Sequence, residues 1–178
     1  LSWLIIKRTY KECIKKFIGS SQFKNDRSEA NVKAMYNSKW LSRDPRFMTA
    51  DQGGKIPINW NSKKFVLGGL GMNNLQTLRI MKMIEKIKPK TVLDVGCGNG
   101  ERILQLACRY PRINFTGLEL TEGGVEVAKN TQNIDQIPNV LQKASPMPLE
   151  DLKAHKTVNF VCSSAKSIPF KDNSFDLV

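Results

Sequence analysis

The chain is poor in several things that would define it quickly. It has one histidine, His155, among 178 residues, and four cysteines, Cys13, Cys97, Cys108 and Cys162, none of them in a C-x-x-C pair. A structural zinc site needs clustered thiolate or imidazole ligands, so none is expected. Cysteines this scattered fit a reducing compartment and a cytoplasmic location. Unbroken apolar runs reach only about four residues, as in Trp3-Leu4-Ile5-Ile6, far short of the roughly 20 needed to span a bilayer. The first residues lack the long apolar block and small-residue cleavage site of a signal peptide. The sequence begins with Leu1 and stops on Leu177-Val178, so both ends look cut.

Acid is scarce in one half. Residues 1–90 hold 19 Lys/Arg against 6 Asp/Glu, and residues 91–178 hold 9 against 10, so the net charge of +12 belongs to the first half. Such asymmetry suits contact with RNA through residues 1–90, an anionic membrane surface or an acidic partner, and equally a merely lysine-rich exterior. What is present suffices for a core, because Leu, Ile, Val and Phe make up 48 of the 178 residues, above the level of disordered chains.

Residues 1–18 read as an amphipathic helix, with Trp3, Ile6, Tyr10, Ile14 and Phe17 on one face and lysines mostly on the other. Packing on its own domain, peripheral membrane contact through residues 1–18 and RNA contact all remain open. Residues 20–70 show weak periodicity. Residues 73–88 are predicted helical, with Leu75, Leu78, Met81, Ile84 and Ile87 in a stripe and Pro89 closing it. From residue 90 the pattern alternates. Predicted strands at 91–95, 113–120, 158–162 and 175–178 are separated by predicted helices at 101–109 and 122–132. Alternation of this kind implies a parallel sheet built from right-handed crossovers. Between the second helix and the third strand lies an insert, roughly 141–157, read as a surface excursion or a substrate- or partner-side element. His155 within it is expected to be solvated.

The informative stretch is Val92-Leu93-Asp94-Val95-Gly96-Cys97-Gly98-Asn99-Gly100, with Glu119 ending the next strand. Glycines after a first strand let backbone approach a ligand closely. An acid at the end of the second strand can accept from both ribose hydroxyls. The dinucleotide fingerprint G-x-G-x-x-G fails, since its sixth position is Glu101. A carboxylate there repels a pyrophosphate and suits a ligand without phosphates, while Asp94 is placed to hold a cationic amine.

This stretch resembles the first motif of class I S-adenosylmethionine-dependent methyltransferases. Ser164-Ala165-Lys166-Ser167-Ile168-Pro169-Phe170-Lys171-Asp172-Asn173-Ser174-Phe175-Asp176-Leu177-Val178 resembles a second stretch of that family, D-A-x-x-L-P-F-x-D-x-S-F-D-L-V. The resemblance covers roughly residues 73–178. It implies an α/β fold, a Rossmann-like parallel sheet with helices on both faces, about four of seven strands being present. It divides the chain into a basic, helical N-terminal extension, 1–72, and an S-adenosylmethionine-binding domain, 73–178. It implies that Gly96, Cys97, Gly98 and Gly100 form the cofactor loop, with Cys97 packing rather than reacting as a nucleophile. Asp94 then orients the methionine end, Glu119 the ribose, Leu120 lies beside the adenine, and Ser164 and Ala165 meet its edge. Ser164 departs from the family's aspartate. The implied reaction moves a methyl group from S-adenosylmethionine, leaving S-adenosylhomocysteine, to an O, N or C nucleophile of a small-molecule or lipid acceptor. An RNA or protein acceptor, or a non-catalytic cofactor-binding module, are the alternatives. No metal is implied, Asp176 is read as structural, and the catalytic residues are expected beyond residue 178.

Overall fold

A computed structural model describes residues 28–41, 56–60, 62–67 and 69–178. The predicted helix 1–18, and with it the membrane reading and most of the RNA reading, lies outside the described residues. The chain divides into two compact units, 1–32 and 33–178. Helix α1 (Glu29–Leu41) crosses that boundary. A hairpin, β1 (Ile56–Trp60) and β2 (Lys63–Leu67), follows, antiparallel and tightly turned at Ser62 with φ +64°. The weak periodicity of residues 20–70 gave no sign of either element.

Helix α2 (Gly69–Ile87) starts four residues before the predicted 73. Lys88 ends it in the left-handed region, φ +52°, its N–H reaching Ile84 O at 2.7 Å, and Pro89 blocks continuation. Met81 and Ile84 are buried, whereas Leu78 and Ile87 of the expected stripe are 41% and 48% exposed, so the covered face is narrower than the apolar pattern.

The remainder alternates as predicted through β3 (Thr91–Val95), α3 (Glu101–Arg109), β4 (Asn114–Glu119), α4 (Glu122–Gln132) and β5 (Asn159–Cys162), with an unpredicted α5 (Asn139–Ala144) and 3₁₀ turn (Ala154–Thr157) before β5, while the predicted fourth strand 175–178 is reduced to a single bridge at Leu177. The strands pair in parallel in the order β3-β4-β5. On the other side of β3, Leu177 forms a parallel bridge to Val92. The spatial order is therefore β5-β4-β3-Leu177, a Rossmann-like sheet whose winding reverses beside β3. Successive strand residues point to opposite faces. Val92 and Leu93 are both buried, as are all residues from Phe115 to Glu119, so both faces of the sheet are covered.

Asp176 secures the start of β3. Its Oδ2 accepts from Lys90 N at 2.7 Å, Thr91 N at 3.0 Å and Thr91 Oγ1 at 3.1 Å. Those bonds hold its carboxyl below the usual range, and they make it the structural residue the sequence suggested.

The insert is neither a loose excursion nor a rim of the site. Residues 103–108 of α3 are buried all round, because the stretch 137–158 covers the helix. Leu141, Ala144, Ala154 and Val158 are buried there. Glu150 N and Asp151 N both donate to Cys108 O, at 2.9 and 3.0 Å, closing the helix end, and Gln105 Nε2 donates to Leu141 O at 2.7 Å. The expectation of a solvated His155 is wrong. It is fully buried, its Nε2 3.1 Å from Ile134 O, and burial lowers its pKa. A side chain enclosed by α3's outer layer has no route to water.

Candidate functional site

The site begins where β3 ends. Gly96, Gly98 and Gly100 have φ of +83°, +59° and +77°. Three left-handed residues within five positions favour glycine, since any other residue would cost roughly 1–2 kcal/mol at each. Gly96 N and Cys97 N both donate to Leu118 O, at 2.7 and 3.1 Å, which ties the turn to the end of β4. Leu104 N donates to Gly100 O at 2.9 Å, so the loop runs directly into α3. It lies at the carboxyl end of β3, beside the reversal in strand order, where open α/β sheets bind ligands.

The three glycines face different surroundings. A Cβ on Gly100 would stand 2.9 Å from Ala128 Cβ and from the Phe160 ring, so that glycine serves packing. A Cβ on Gly98 would stand 2.9 Å from Trp40 Cζ2. At Gly96 nothing among the described residues lies within 4 Å of a Cβ position, leaving a backbone cradle open at the end of the strand.

Two carboxylates flank this cradle. Burial pushes the Asp94 carboxyl above its usual range; Arg102 opposes the shift and the charge of Glu119 adds to it. Glu119 is 7% exposed and turned inward. Its Oε2 accepts from Gly98 N at 3.0 Å, and its Oε1 accepts from Thr121 N at 3.1 Å and Thr121 Oγ1 at 2.7 Å. Thr121 also caps α4, its Oγ1 accepting from Gly124 N at 3.2 Å. With two acceptor directions per oxygen, one remains on Oε2.

Leu120 follows Glu119, and Ser163 N donates to Glu119 O at 2.9 Å, bringing the Ser164-Ala165 turn to the same edge. Ser164 Oγ accepts from Lys166 N at 3.1 Å, and its remaining lone pair and O–H stay available. Cys97 Sγ lies 2.7 Å from where a Gly117 Cβ would be, against β4. Burial, with Asp94 and Glu119 adding, drives its thiol far up, so no thiolate forms at neutral pH.

Asn37, Trp40, Arg102, Thr121 and Gly124 also belong to this region, and the sequence reading passed over them. Thr121 carried a signal, an N-cap residue before a helical run. A Cβ on Gly124 would stand 2.8 Å from Glu119 Cγ, a contact that needs the fold to be seen. Among the described residues, no group of three or more His, Cys, Asp or Glu side chains is arranged to hold a metal ion. No helix among them is long and apolar enough to cross a membrane.

A left-handed glycine loop thus stands at the switch point of a Rossmann-like sheet, with the Asp94 and Glu119 carboxylates beside it. Residues 93–178 match the family described as Methyltransferase domain.

Among similar proteins, the O-methyltransferase rstn1 of Aspergillus nomiae is 27% identical over 100 residues, covering 56% of this chain and 36% of its own length. A demethylmenaquinone methyltransferase of Thermotoga maritima is 25% identical over 108 residues, 61% of this chain and 37% of its own. The plantazolicin methyltransferase BpumL, solved with a pentazolic desmethylPZN analog and SAH, is 17% identical and covers 82% of this chain and 44% of its own, with a TM-score of 0.41. The chain thus spans little more than a third of the length of these two curated relatives.

Proposed function

We propose that the protein transfers a methyl group from S-adenosylmethionine to an O, N or C nucleophile of a small-molecule or lipid acceptor, with residues 73–178 as the cofactor-binding part and 1–72 as a basic extension. The observation that carries this reading is the open Gly96 cradle between Asp94 and Glu119. A pyrophosphate would meet two carboxylates there, whereas a ligand bearing an ammonium and a sulfonium meets complementary charge. The donor set fits that cofactor. Asp94 receives the amino group of its methionine part, the free direction on Glu119 Oε2 receives a ribose hydroxyl, and Leu120, Ser164 and Ala165 border the adenine.

When bound, the cofactor supplies a methyl already activated by its sulfonium. The protein's share is alignment, proximity and exclusion of water. The loop contributes by being fixed before binding, tied to Leu118 O on one side and to α3 on the other. The small-molecule or lipid class is supported by similarity to an O-methyltransferase and to a demethylmenaquinone methyltransferase.

Calorimetry with S-adenosylhomocysteine and, separately, NAD tests the cofactor. Binding of the first and not the second is expected, and Asp94→Ala should weaken it by about 1–3 kcal/mol for a lost charge-assisted bond. NAD binding without S-adenosylhomocysteine binding would overturn the proposal.

A further inference from the structure

Helix α1 reaches this site three times. Lys33 Nζ lies 3.4 Å from Glu122 Oε1, Asn37 Oδ1 accepts from Gly123 N at 2.6 Å, and the Trp40 indole lies on Gly98. The three residues are spaced by four and three positions, so one helical face carries them. Their targets are the glycine loop and the first turn of α4, the two segments that Glu119 and Thr121 bind together.

The contacts divide the loop unevenly. Trp40 covers Gly98, with three indole carbons between 2.9 and 3.7 Å of a Cβ position there, while the face of Gly96 is open. A ligand laid in the Gly96 cradle is therefore bounded by the indole on the Gly98 side. An indole there keeps water from that flank, and its cation-attracting face is already met by Lys39 Nζ, 5.6 Å from the ring centroid. Tyr36 supports it, the two ring centroids being 6.3 Å apart.

The Lys33–Glu122 pair is exposed, at 44% and 80%, and exposed pairs contribute little. Asn37 gives one hydrogen bond. A ligand against the indole would add a further contact that holds the helix in place.

We infer that Trp40 and Asn37 form one wall of the cofactor cleft, and that bound cofactor holds residues 33–41 against the glycine loop. This rests on the cofactor reading above. The test is calorimetry with S-adenosylhomocysteine on the full chain and on Trp40→Ala, Trp40→Phe and Asn37→Ala, with hydrogen exchange of wild-type amides 33–41 with and without that ligand. Trp40→Ala should weaken binding on the order of tenfold, Trp40→Phe should restore most of it, and Asn37→Ala should cost about threefold to fivefold. The ligand should slow exchange across 33–41. Unchanged affinity in both alanine variants, or unchanged exchange on a wild type that binds, overturns the inference and leaves the cofactor reading standing. A wild type that does not bind S-adenosylhomocysteine overturns both. The exchange measurement decides even where Trp40→Ala fails to fold.

Discussion

Glu119 is the side chain on which fold and ligand make competing demands. Glutamine keeps its shape and one acceptor oxygen. With that oxygen toward Thr121, the donations now at 3.1 and 2.7 Å survive as neutral bonds, each weaker by about 1 kcal/mol. The amide nitrogen then faces Gly98 N, now 3.0 Å from Oε2, donor against donor. An unsatisfied buried N–H costs about 1–3 kcal/mol. Turning the amide over moves the same fault to Thr121. The neutral amide is easier to bury than a carboxylate, which offsets part of the loss. The net expectation for Glu119→Gln is a loss of about 2–4 kcal/mol in stability without any ligand. That corresponds to a thermal midpoint lower by roughly 5–15 °C for a unit of this size. Urea unfolding followed by circular dichroism measures it. A carboxylate whose sole task is to receive a ribose would leave the ligand-free midpoint unchanged, or raise it, while abolishing binding. An unchanged midpoint therefore refutes the inward-bonded role.

Other substitutions separate packing from binding within the same loop. Gly100→Ala should destabilise by about 2–4 kcal/mol, since strain at φ +77° adds to a clash with Ala128 and Phe160; Gly96→Ala meets open space and should cost only about 1–2 kcal/mol of backbone strain while blocking the cradle. Equal losses in urea midpoint would contradict the distinction. Because the folded Asp176 carboxyl titrates below its unfolded value of about 3.9, its stabilisation is present above that pH and lost as pH falls through the folded pKa. The gap in urea midpoint between wild type and Asp176→Asn should thus be flat from about pH 5 to 8 and close below about pH 4; a gap persisting to pH 2 would count against the clamp on Thr91. Alkylation of the native protein at pH 8, read by mass spectrometry, should modify the exposed Cys162 and spare Cys97 and Cys108, the latter thiol pushed up to about 11 by burial. Prompt modification of Cys97 would mean that its side chain does not face β4.

Legibility tracked how local each feature is. β3, the loop and α3 follow one another within 19 residues, and each is specified by its own residues: a β-branched run, alternating glycines and an apolar helix. Their placement in a parallel sheet followed from alternation alone. Glu119 was legible as a position and not as a rotamer, because its bonds to Gly98 and Thr121 depend on how two chain segments meet. Asn37 and Trp40 sit in a stretch without periodicity, and their partners lie 86 and 58 positions away. The insert misled for a related reason. Ile137, Leu141, Ala144, Ala154 and His155 are buried in an irregular stretch packed over α3, so they follow no single period.

The covering of α3 by residues 137–158 has an entropic consequence. A glycine loop is ordinarily the most disordered part of an unliganded site, since glycine loses most conformational freedom on ordering. Here the helix that continues the loop is enclosed on all sides, and its last turn is closed by Glu150 N and Asp151 N on Cys108 O. Ordering of the loop is completed by folding itself, and ligand binding inherits a finished surface. Removing the 145–153 stretch would take away these closing bonds and the packing of Leu149 and Leu152, and so loosen the helix that continues the loop.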